Sequence, residues 1–370
     1  MINNKKTLLV NEGLSDNVGD QALCSGMYRA LIDIGLEVEK ADFSLRSKLD
    51  AYQDSVVKNK RFMSFKKLRE NLFFITPGLI YSLYYVLKRY KNLIEIFEKQ
   101  FDFLIIGGGQ LVLSNRRFVF LLLCWFLIGK IKKSKIFLIS VGIGEKFTWL
   151  EKNILKYVLK RVDGLYVRDS MSAENCHKNF KIKPSYCPDS AFYLFNFESS
   201  FSLSPTFKER KEAIVAPVDY LVFLRYREEL KRSGIVFDFS CVEDYYQYWV
   251  FIINEQLKKG RVVRLCGTTY DDSKLAAILK DNFFKDNVDV VLLGYVGSFE
   301  SYLSAALDAA VIISGRMHAL ILGMVAGAKV SPFYVSKKII GFFDEYHDKC
   351  VPSLKKEIHE VLRDIYDKGA

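Results

Sequence analysis

The sequence predicts an α/β protein with two Rossmann-like domains that face each other across a cleft. Short apolar runs ending in glycine or polar turns alternate with helical patterns, as in parallel sheets. The alternation stops in a serine-rich, charged stretch and then resumes, and 370 residues suffice for two domains. The predicted boundaries are therefore an N-terminal domain at 1–195, a linker at 196–212, a C-terminal domain at 213–350 and a final helix at 351–370.

In the first half, short apolar runs predict strands and a period near 3.6 residues predicts helices. The predicted strands are residues 6–10, 103–106, 135–141 and 165–167, and a helix is predicted at 20–34. Residues 118–128 form an unbroken apolar run that is shorter than the roughly 20 residues a membrane-spanning helix needs. We therefore expect a buried helix there. Asp169 or Ser170 is the expected N-cap of the helix that follows the fourth strand.

The second half repeats the alternation. The predicted strands are 213–217, 261–266, 288–293, 311–314 and 329–334, and the predicted helices are 241–259, 271–284, 298–310, 317–326 and 337–346. Ser298 is the expected N-cap of the third of these helices. The order of elements predicts a second parallel sheet.

The net charge of +11 favours an anionic partner. The basic residues are interleaved with aromatic and aliphatic ones and accompany no nucleic-acid motif, so we expect no nucleic-acid partner. The seven cysteines have no paired spacing, which favours buried free thiols in a reducing compartment over disulfides or a zinc site. Because the N-terminus also lacks a signal-peptide core, we expect a cytoplasmic protein.

The apolar stretch at 72–87 is flanked by basic residues on both sides and contains three tyrosines. This composition suits a lipid headgroup interface and predicts peripheral contact with an anionic membrane, at the inner face of the plasma membrane. The alternative is an ordinary core helix with solvated ends.

The strongest functional candidates lie in the segment VIISGRMHALILGMVAG, which begins at Val311. Arg316 and His318 follow a strand and open a helix, and parallel sheets bind ligands at the carboxyl ends of their strands. A helix N-terminus favours an anion, an arginine matches carboxylate or phosphate, and a histidine exchanges protons near neutrality. The motif predicts an anion clamp beside a proton donor. A structural role for His318 is the alternative.

Several weaker candidates follow other strands. Asn17 and Asp20 either cap a helix or bind an acceptor hydroxyl. Arg168 is a second arginine at a strand end, with a surface salt bridge as its alternative. Lys338 opposes the dipole of the helix it opens, which is a hint of a nearby anion.

A glycine run follows the second predicted strand and allows a backbone to approach a ligand closely. Its members are Gly107, Gly108 and Gly109. The run is not the dinucleotide-binding pattern, and no acidic ribose ligand follows at the expected distance, so dinucleotide binding is disfavoured.

Taken together, these motifs resemble the polysaccharide pyruvyl transferase family. The resemblance rests on Asn17-Val18-Gly19-Asp20, the glycine run, Val167-Arg168-Asp169, Pro188-Asp189, Ser314-Gly315-Arg316-Met317-His318-Ala319 and Tyr334-Val335-Ser336-Lys337-Lys338-Ile339. It implies a GT-B-like fold and the transfer of pyruvate from phosphoenolpyruvate onto two hydroxyls of a sugar. The product is a cyclic ketal, phosphate is released, and phosphoenolpyruvate is a co-substrate with no further cofactor or metal.

The resemblance places Arg316 and His318 on donor-binding and catalytic positions. Arg316 is expected to grip phosphoenolpyruvate bidentately, and His318 to protonate its methylene as a general acid. Asp20 or Asp16 is expected to orient or deprotonate the acceptor. The residues expected to bind substrate are Arg168, Lys338, Asn17, Gly107, Gly108, Gly109, Ser314 and Gly315.

Two other functions stay open at this point. One is a nucleotide-sugar-dependent glycosyltransferase of the same fold, acting in cell-surface polysaccharide biosynthesis. The other is a non-catalytic, membrane-associated scaffold of glycan assembly. For the transferase, a lipid-linked glycan acceptor would account for the apolar stretch at 72–87.

Overall fold

The computed structural model describes residues 5–47, 87–195 and 210–369 and contains two fully parallel sheets. The predicted α/β class with two Rossmann-like sheets is confirmed, and the predicted cleft stays a prediction. The chain divides into two compact units. The N-terminal unit falls within Met1–Ser15, Leu23–Tyr193 and Lys356–Ala370, and the C-terminal unit within Asp16–Ala22 and Leu194–Lys355.

The N-terminal unit is built on a six-stranded sheet. Its strands are β1 (Lys6–Asn11), β2 (Glu37–Asp42), β3 (Phe103–Val112), β4 (Lys135–Ile143), β5 (Gly164–Val167) and β6 (Ser185–Tyr186). They are ordered β2-β1-β3-β4-β5-β6. β3 continues through the glycine run, which was expected to follow the strand, and its pairing with β4 shifts register after Gly109.

The helices of this unit connect successive strands. They are α1 (Val18–Asp33), α2 (Tyr90–Glu98), α3 (Arg116–Ile131), α4 (Trp149–Leu159) and α5 (Ser170–Phe180), and a short 3-10 helix follows at Ser190–Leu194. The helix predicted at 118–128 is confirmed in α3, which is buried on one side and exposes Leu127. Its Trp125 is fully buried, and the indole N–H donates to the carbonyl oxygen of Phe43 at 2.9 Å.

The C-terminal unit contains a five-stranded sheet. Its strands are β7 (Glu212–Ala216), β8 (Val262–Gly267), β9 (Val290–Tyr295), β10 (Ala309–Ser314) and β11 (Lys329–Pro332). They are ordered β11-β10-β7-β8-β9. The chain runs from β7 outward to β9 and then crosses back to β10, so strand order reverses between β7 and β10. Ligands of open parallel sheets bind outside such a reversal.

Seven helices complete the chain. They are α6 (Tyr220–Arg232), α7 (Val242–Leu257), α8 (Tyr270–Phe283), α9 (Phe299–Leu307), α10 (Met317–Val325), α11 (Lys337–Tyr346) and α12 (Val351–Gly369). α11 has the predicted bounds, and Ser298 caps α9 as predicted by accepting from the Ser301 N–H at 3.2 Å. Within the described ranges, every helix is too short or too polar to span a bilayer.

The unit boundaries differ from the predicted domains in two places. Asp16–Ala22 belongs to the C-terminal unit because the Val18 N–H donates to the carbonyl oxygen of Thr268 at 3.3 Å. Most of α12 belongs to the N-terminal unit, where the Tyr193 hydroxyl lies 3.1 Å from Nδ1 of His359. Residues 72–86 and 196–209, which carry most of the predicted interfacial stretch and linker, lie outside the described residues.

All seven cysteines are free, as predicted. Four of them are buried: Cys24, Cys176, Cys187 and Cys266. Burial raises the pKa of the Cys176 thiol to about 12, so this thiol is protonated at neutral pH. Cys241 and Cys350 are exposed and depart from the expectation of buried thiols.

The packing of α1 depends on a glycine inside the helix, which leads to a first prediction. A Cβ added at Gly26 would lie 2.0 Å from the carbonyl oxygen of Ser190, whereas one at Gly341 in α11 would meet no heavy atom within 4 Å. We expect Gly26→Ala to lower the free energy of unfolding by about 1–3 kcal/mol, as overpacking does. Gly341→Ala should instead raise it by up to about 1 kcal/mol through helix propensity. Thermal and urea unfolding of both variants measures the contrast, and equal behaviour would contradict it.

Candidate active site

The predicted arginine and histidine lie at the strand reversal of the C-terminal unit. β10 ends at Ser314, and Arg316 is the N-cap residue of α10, with His318 in the first turn. β10 pairs with β7 on one side, so this turn stands at the carboxyl end of the strand where the order reverses. The topology therefore supports the predicted ligand-binding position.

Ser314 and Gly315 shape the turn that carries Arg316. The Ser314 hydroxyl donates to the carbonyl oxygen of Ala216 at 2.9 Å and accepts from the Arg316 N–H at 3.0 Å. A Cβ on Gly315 would lie 2.9 Å from Cγ2 of Val218. Both residues are buried and hold the turn in place. The expected contact of Ser314 and Gly315 with substrate stays a prediction.

Arg316 is anchored by a carboxylate that sequence reasoning did not find. Its Nε donates to Oδ2 of Asp272 at 2.8 Å and its Nη2 to Oδ1 at 2.7 Å, which is a bidentate pair. The Asp272 side chain is fully buried, while 29% of the Arg316 side chain is exposed. The guanidinium is thus fixed through Nε and Nη2, while part of the side chain stays exposed.

Further groups surround this ion pair. Asp272 Oδ1 also accepts from the Asp219 N–H at 3.0 Å, so several donors stabilise the carboxylate. Burial acts to lower the pKa of Arg316, but the charge and hydrogen bonds of Asp272 outweigh it and raise that pKa, with help from Asp219. Burial also raises the pKa of Asp219 itself, and the neighbouring carboxylates of Asp271 and Asp272 add to that rise.

His318 packs against the first turn of α1. A Cβ on Gly19 would lie 2.1 Å from Nδ1 and 2.6 Å from Cγ of the imidazole, so only glycine leaves room for this ring. The side chain as a whole is half-buried, and its Nε2 atom is buried. The structure therefore brings together two motifs that lie about three hundred residues apart in the sequence.

The segment Asp16–Ala22 is held at the same edge of the sheet as His318. The Tyr295 hydroxyl, at the end of β9, donates to the carbonyl oxygen of Asp16. Asn17 Oδ1 accepts from the Gly19 N–H at 3.0 Å, so this side chain caps α1. The cap was the alternative to substrate binding by Asn17. Asp20 follows Gly19 in the first turn of α1 and is half-buried.

Lys338 also belongs to the C-terminal unit. It is the second residue of α11 and is half-buried. Its predicted contact with substrate stays a prediction.

Arg168, in the N-terminal unit, does not lie at a surface. Its side chain is 2% exposed, and its Nη1 donates to Oδ2 of Asp189 at 2.9 Å while its Nε contacts Oδ2 of Asp169 at 3.3 Å. Asp169 caps α5, as predicted, by accepting from the Ser172 N–H at 2.7 Å. The burial of this ion pair corrects the alternative of a surface salt bridge, and the expected binding of substrate by Arg168 stays a prediction.

The glycine run is buried inside the N-terminal unit as well. Gly108 has a φ of +75°, and a Cβ there would lie 3.0 Å from Cβ of Leu23 in α1. A Cβ on Gly107 would lie 3.0 Å from the carbonyl oxygen of Ile139. Gly109 has a φ of +91°. Gly107 and Gly108 thus allow a close approach within the protein itself, and the expected contact of the glycine run with a ligand stays a prediction.

Two of the groups that shape the site were missed from the sequence. Asp272 was interpreted only as part of a helix start, although it follows β8 at the same edge of the sheet as Arg316. Gly19 was treated as part of a turn. A search for acidic residues just after each predicted strand would have suggested Asp272 as a partner of the arginine. No feature of the local sequence indicates the contact between Gly19 and His318.

Comparison with known proteins adds a family. A model of the family described as Polysaccharide pyruvyl transferase matches residues 17–337. No curated protein matches the chain at a significant level. Among solved structures, UDP-GlcNAc 2-epimerase from Methanocaldococcus jannaschii is similar with a TM-score of 0.48 and 9% identity, covering 98% of this chain and 99% of that one. The E. coli ADP-heptose lps heptosyltransferase II is similar with a TM-score of 0.36 and 10% identity, covering 96% and 99%.

The family match includes Asn17 and Gly19, both arginines, His318 and the first residue of α11. Because it spans residues 17–337 of 370, the chain belongs to the polysaccharide pyruvyl transferase family.

Proposed function

We propose that this protein transfers pyruvate from phosphoenolpyruvate onto two hydroxyls of one sugar in a polysaccharide or its lipid-linked precursor. The product is a cyclic ketal, and phosphate is released. The observation that carries the proposal is the pairing of an anchored, partly exposed Arg316 with His318 at the carboxyl end of β10. Family membership supports the same reaction.

Arg316 is the proposed contact for the acidic donor. Its Nε and one N–H of Nη2 are engaged by Asp272, so the expected bidentate grip through that fork is revised. A carboxylate or phosphate oxygen of phosphoenolpyruvate would instead accept from guanidinium N–H groups other than the two that bond Asp272. Since Asp272 cancels much of the arginine charge, backbone N–H groups at the start of α10 would supply further attraction.

His318 is the proposed general acid. Protonation of the donor methylene turns it into a methyl group and makes the neighbouring carbon electrophilic, and a sugar hydroxyl then adds to that carbon. Loss of phosphate and attack by the second hydroxyl close the ketal. One hydroxyl proton is regained by the acid and the other leaves with phosphate, so the imidazole ends the cycle protonated.

Asp20 is the proposed acceptor-side group. It follows Gly19, the residue against which His318 packs, and a carboxylate there would orient or deprotonate a sugar hydroxyl. Asp16 belongs to the same segment and remains the second candidate for this part.

The reaction is tested by incubating the protein with phosphoenolpyruvate and surface glycans or lipid-linked oligosaccharides from source cells. We expect phosphate release that depends on the acceptor and a product mass higher by one pyruvate ketal. Nucleotide sugars serve as the competing donors. Sugar transfer from them, without ketal formation, would establish the glycosyltransferase alternative and overturn the proposal.

The donor contact and the general acid generate a second prediction. We expect His318→Asn to lower kcat by about 10²–10⁴-fold, the range for loss of a general acid. Arg316→Ala should mainly raise the KM for phosphoenolpyruvate, because it removes charge-assisted hydrogen bonds to the donor. His347→Asn is the control, since that histidine ends α11 and is exposed. Wild-type rates for the Arg316 and His318 variants in well-folded protein would contradict the assignment.

The buried partner of Arg316 generates a third prediction. Asp272→Asn preserves the shape of the side chain but removes the charge that orients the guanidinium. We expect the KM for phosphoenolpyruvate to change by about 10-fold or more, in line with the loss of a hydrogen bond to a charged group. Asp271→Asn is the matched control, because Asp271 is the neighbouring residue of α8 and its side chain is 59% exposed. Equal kinetics of the two variants would argue against a positioning role for Asp272.

The contact between α1 and the imidazole generates a fourth prediction. Gly19→Ala adds a methyl group where only 2.1 Å separates its position from Nδ1 of His318. The ring must move, so we expect kcat to fall by about 10-fold or more, since small displacements of catalytic groups are costly. Circular dichroism should show an intact fold, because alanine favours the helix. Full activity of this variant would exclude His318 in its present position as the general acid.

A further inference from the structure

A concentration of lysines occupies the amino-terminal edge of the sheet in the N-terminal unit. β1 and β4 begin there, and α3 ends there. A cavity of about 340 Å³ opens at this edge. We call its lysines the basic edge: Lys5, Lys6, Lys132, Lys133 and Lys135. The acidic residue that lines the same cavity is Asp102. None of these lysines belongs to the candidate active site, which lies in the C-terminal unit.

Backbone and ring contacts hold part of the basic edge in place. The Lys132 ammonium donates to the carbonyl oxygen of Phe97, and the Lys5 ammonium lies 5.1 Å from the centre of the Phe103 ring. The Asp102 carboxylate accepts from the Lys6 N–H at 2.9 Å, so it is partly engaged by backbone. The cavity is thus lined by five lysines and one acidic residue, and this excess of positive charge attracts anions.

Exposed apolar side chains adjoin the basic edge. Ile131 is the last residue of α3, directly before Lys132, and it is 65% exposed. Leu127 lies one turn earlier on the same side of α3 and is also exposed, as is Ile94 in α2. The bond from Lys132 to Phe97 joins the ends of α2 and α3, so Lys132 lies beside the last turns of both helices that carry these apolar side chains. Apolar groups bordered by lysines are typical of surfaces that bind a lipid interface.

We propose that the basic edge and the adjoining Ile131, Leu127 and Ile94 dock the protein on an anionic lipid bilayer. The lysines would contact acidic headgroups, and the exposed aliphatic side chains would enter the boundary of the acyl region. A nucleic acid would match the charge but would leave the aliphatic side chains in water. This docking surface is independent of the proposed pyruvyl transfer, and it would bring the enzyme to acceptors that carry a lipid.

The test measures co-sedimentation of the full chain with phosphatidylcholine vesicles, with or without phosphatidylglycerol. The edge variant combines Lys6→Glu, Lys133→Glu and Lys135→Glu, all at exposed positions. Its control combines Lys258→Glu, Lys259→Glu and Lys285→Glu, three exposed lysines of the C-terminal unit, and changes the net charge equally. Ile131→Ser tests the apolar part without changing charge.

We expect the wild type and the control to bind vesicles that contain phosphatidylglycerol and to ignore neutral ones. The edge variant should bind at least 10-fold more weakly, and Ile131→Ser should weaken binding at high salt, where lysine contacts are screened. Equal binding by the edge variant and the wild type would overturn the proposal. An equal loss of vesicle binding in the edge variant and the control would also overturn it. Stronger binding of the wild type to duplex DNA than to vesicles would do the same.

Phosphate release with a water-soluble acceptor separates this proposal from the proposed function. We expect the edge variant to keep wild-type turnover with such an acceptor, which also reports that it is folded. If the triple variant does not fold, the single Lys133→Glu variant and Ile131→Ser carry the test. Wild-type vesicle binding by both would then overturn the docking surface, whatever the outcome for pyruvyl transfer.

Discussion

The bidentate pair between Arg316 and Asp272 is the constraint on which the candidate active site depends. A fully buried carboxylate is costly unless donors surround it, and here a guanidinium and the Asp219 N–H do so. The pair connects the turn after β10 with the start of α8, which follows β8. It therefore fixes the direction of the guanidinium across the strand reversal before any ligand arrives. Such preorganisation lowers the cost of binding an acidic donor.

Much of the fold could be predicted from the sequence because its signals are local. Alternating apolar runs and helical patterns located nine of the eleven strands in the described ranges, and β2 and the short β6 were missed. The bounds of α11 and the caps at Asp169 and Ser298 also follow from a few neighbouring residues. Even the position of Arg316 and His318 is a local inference, since a strand followed directly by a helix puts that turn at a carboxyl edge.

The environment of each side chain could not be predicted, because it depends on residues far away in the sequence. Arg168 and Arg316 both follow a strand and open a helix, and the carboxylates that accept from their terminal nitrogens, Asp189 and Asp272, lie 21 and 44 residues away in the sequence. The structure buries the first between two carboxylates and leaves 29% of the second exposed with one carboxylate. The environment of the glycine run also depends on residues far away in the sequence. The lack of side chains in this run allows the close approach of a ligand or of a neighbouring helix. The approach that the structure shows is that of Leu23 in α1 to Gly108.

The pairing of Arg316 with Asp272 also changes how an acidic donor would be attracted. An isolated arginine brings a full positive charge, but this pair is close to neutral as a unit, so the arginine supplies directed donors more than net charge. In the proposed reaction, partial charges at helix N-termini would then supply much of the attraction. α1, α8 and α10 each begin within the set of contacts around the site, and helix N-termini carry partial positive charge. A protonated His318 would add a charge that disappears when its proton is transferred. Binding and protonation of the donor would thereby be coupled, because His318 would both attract the anionic donor and give it the proton that carries this charge.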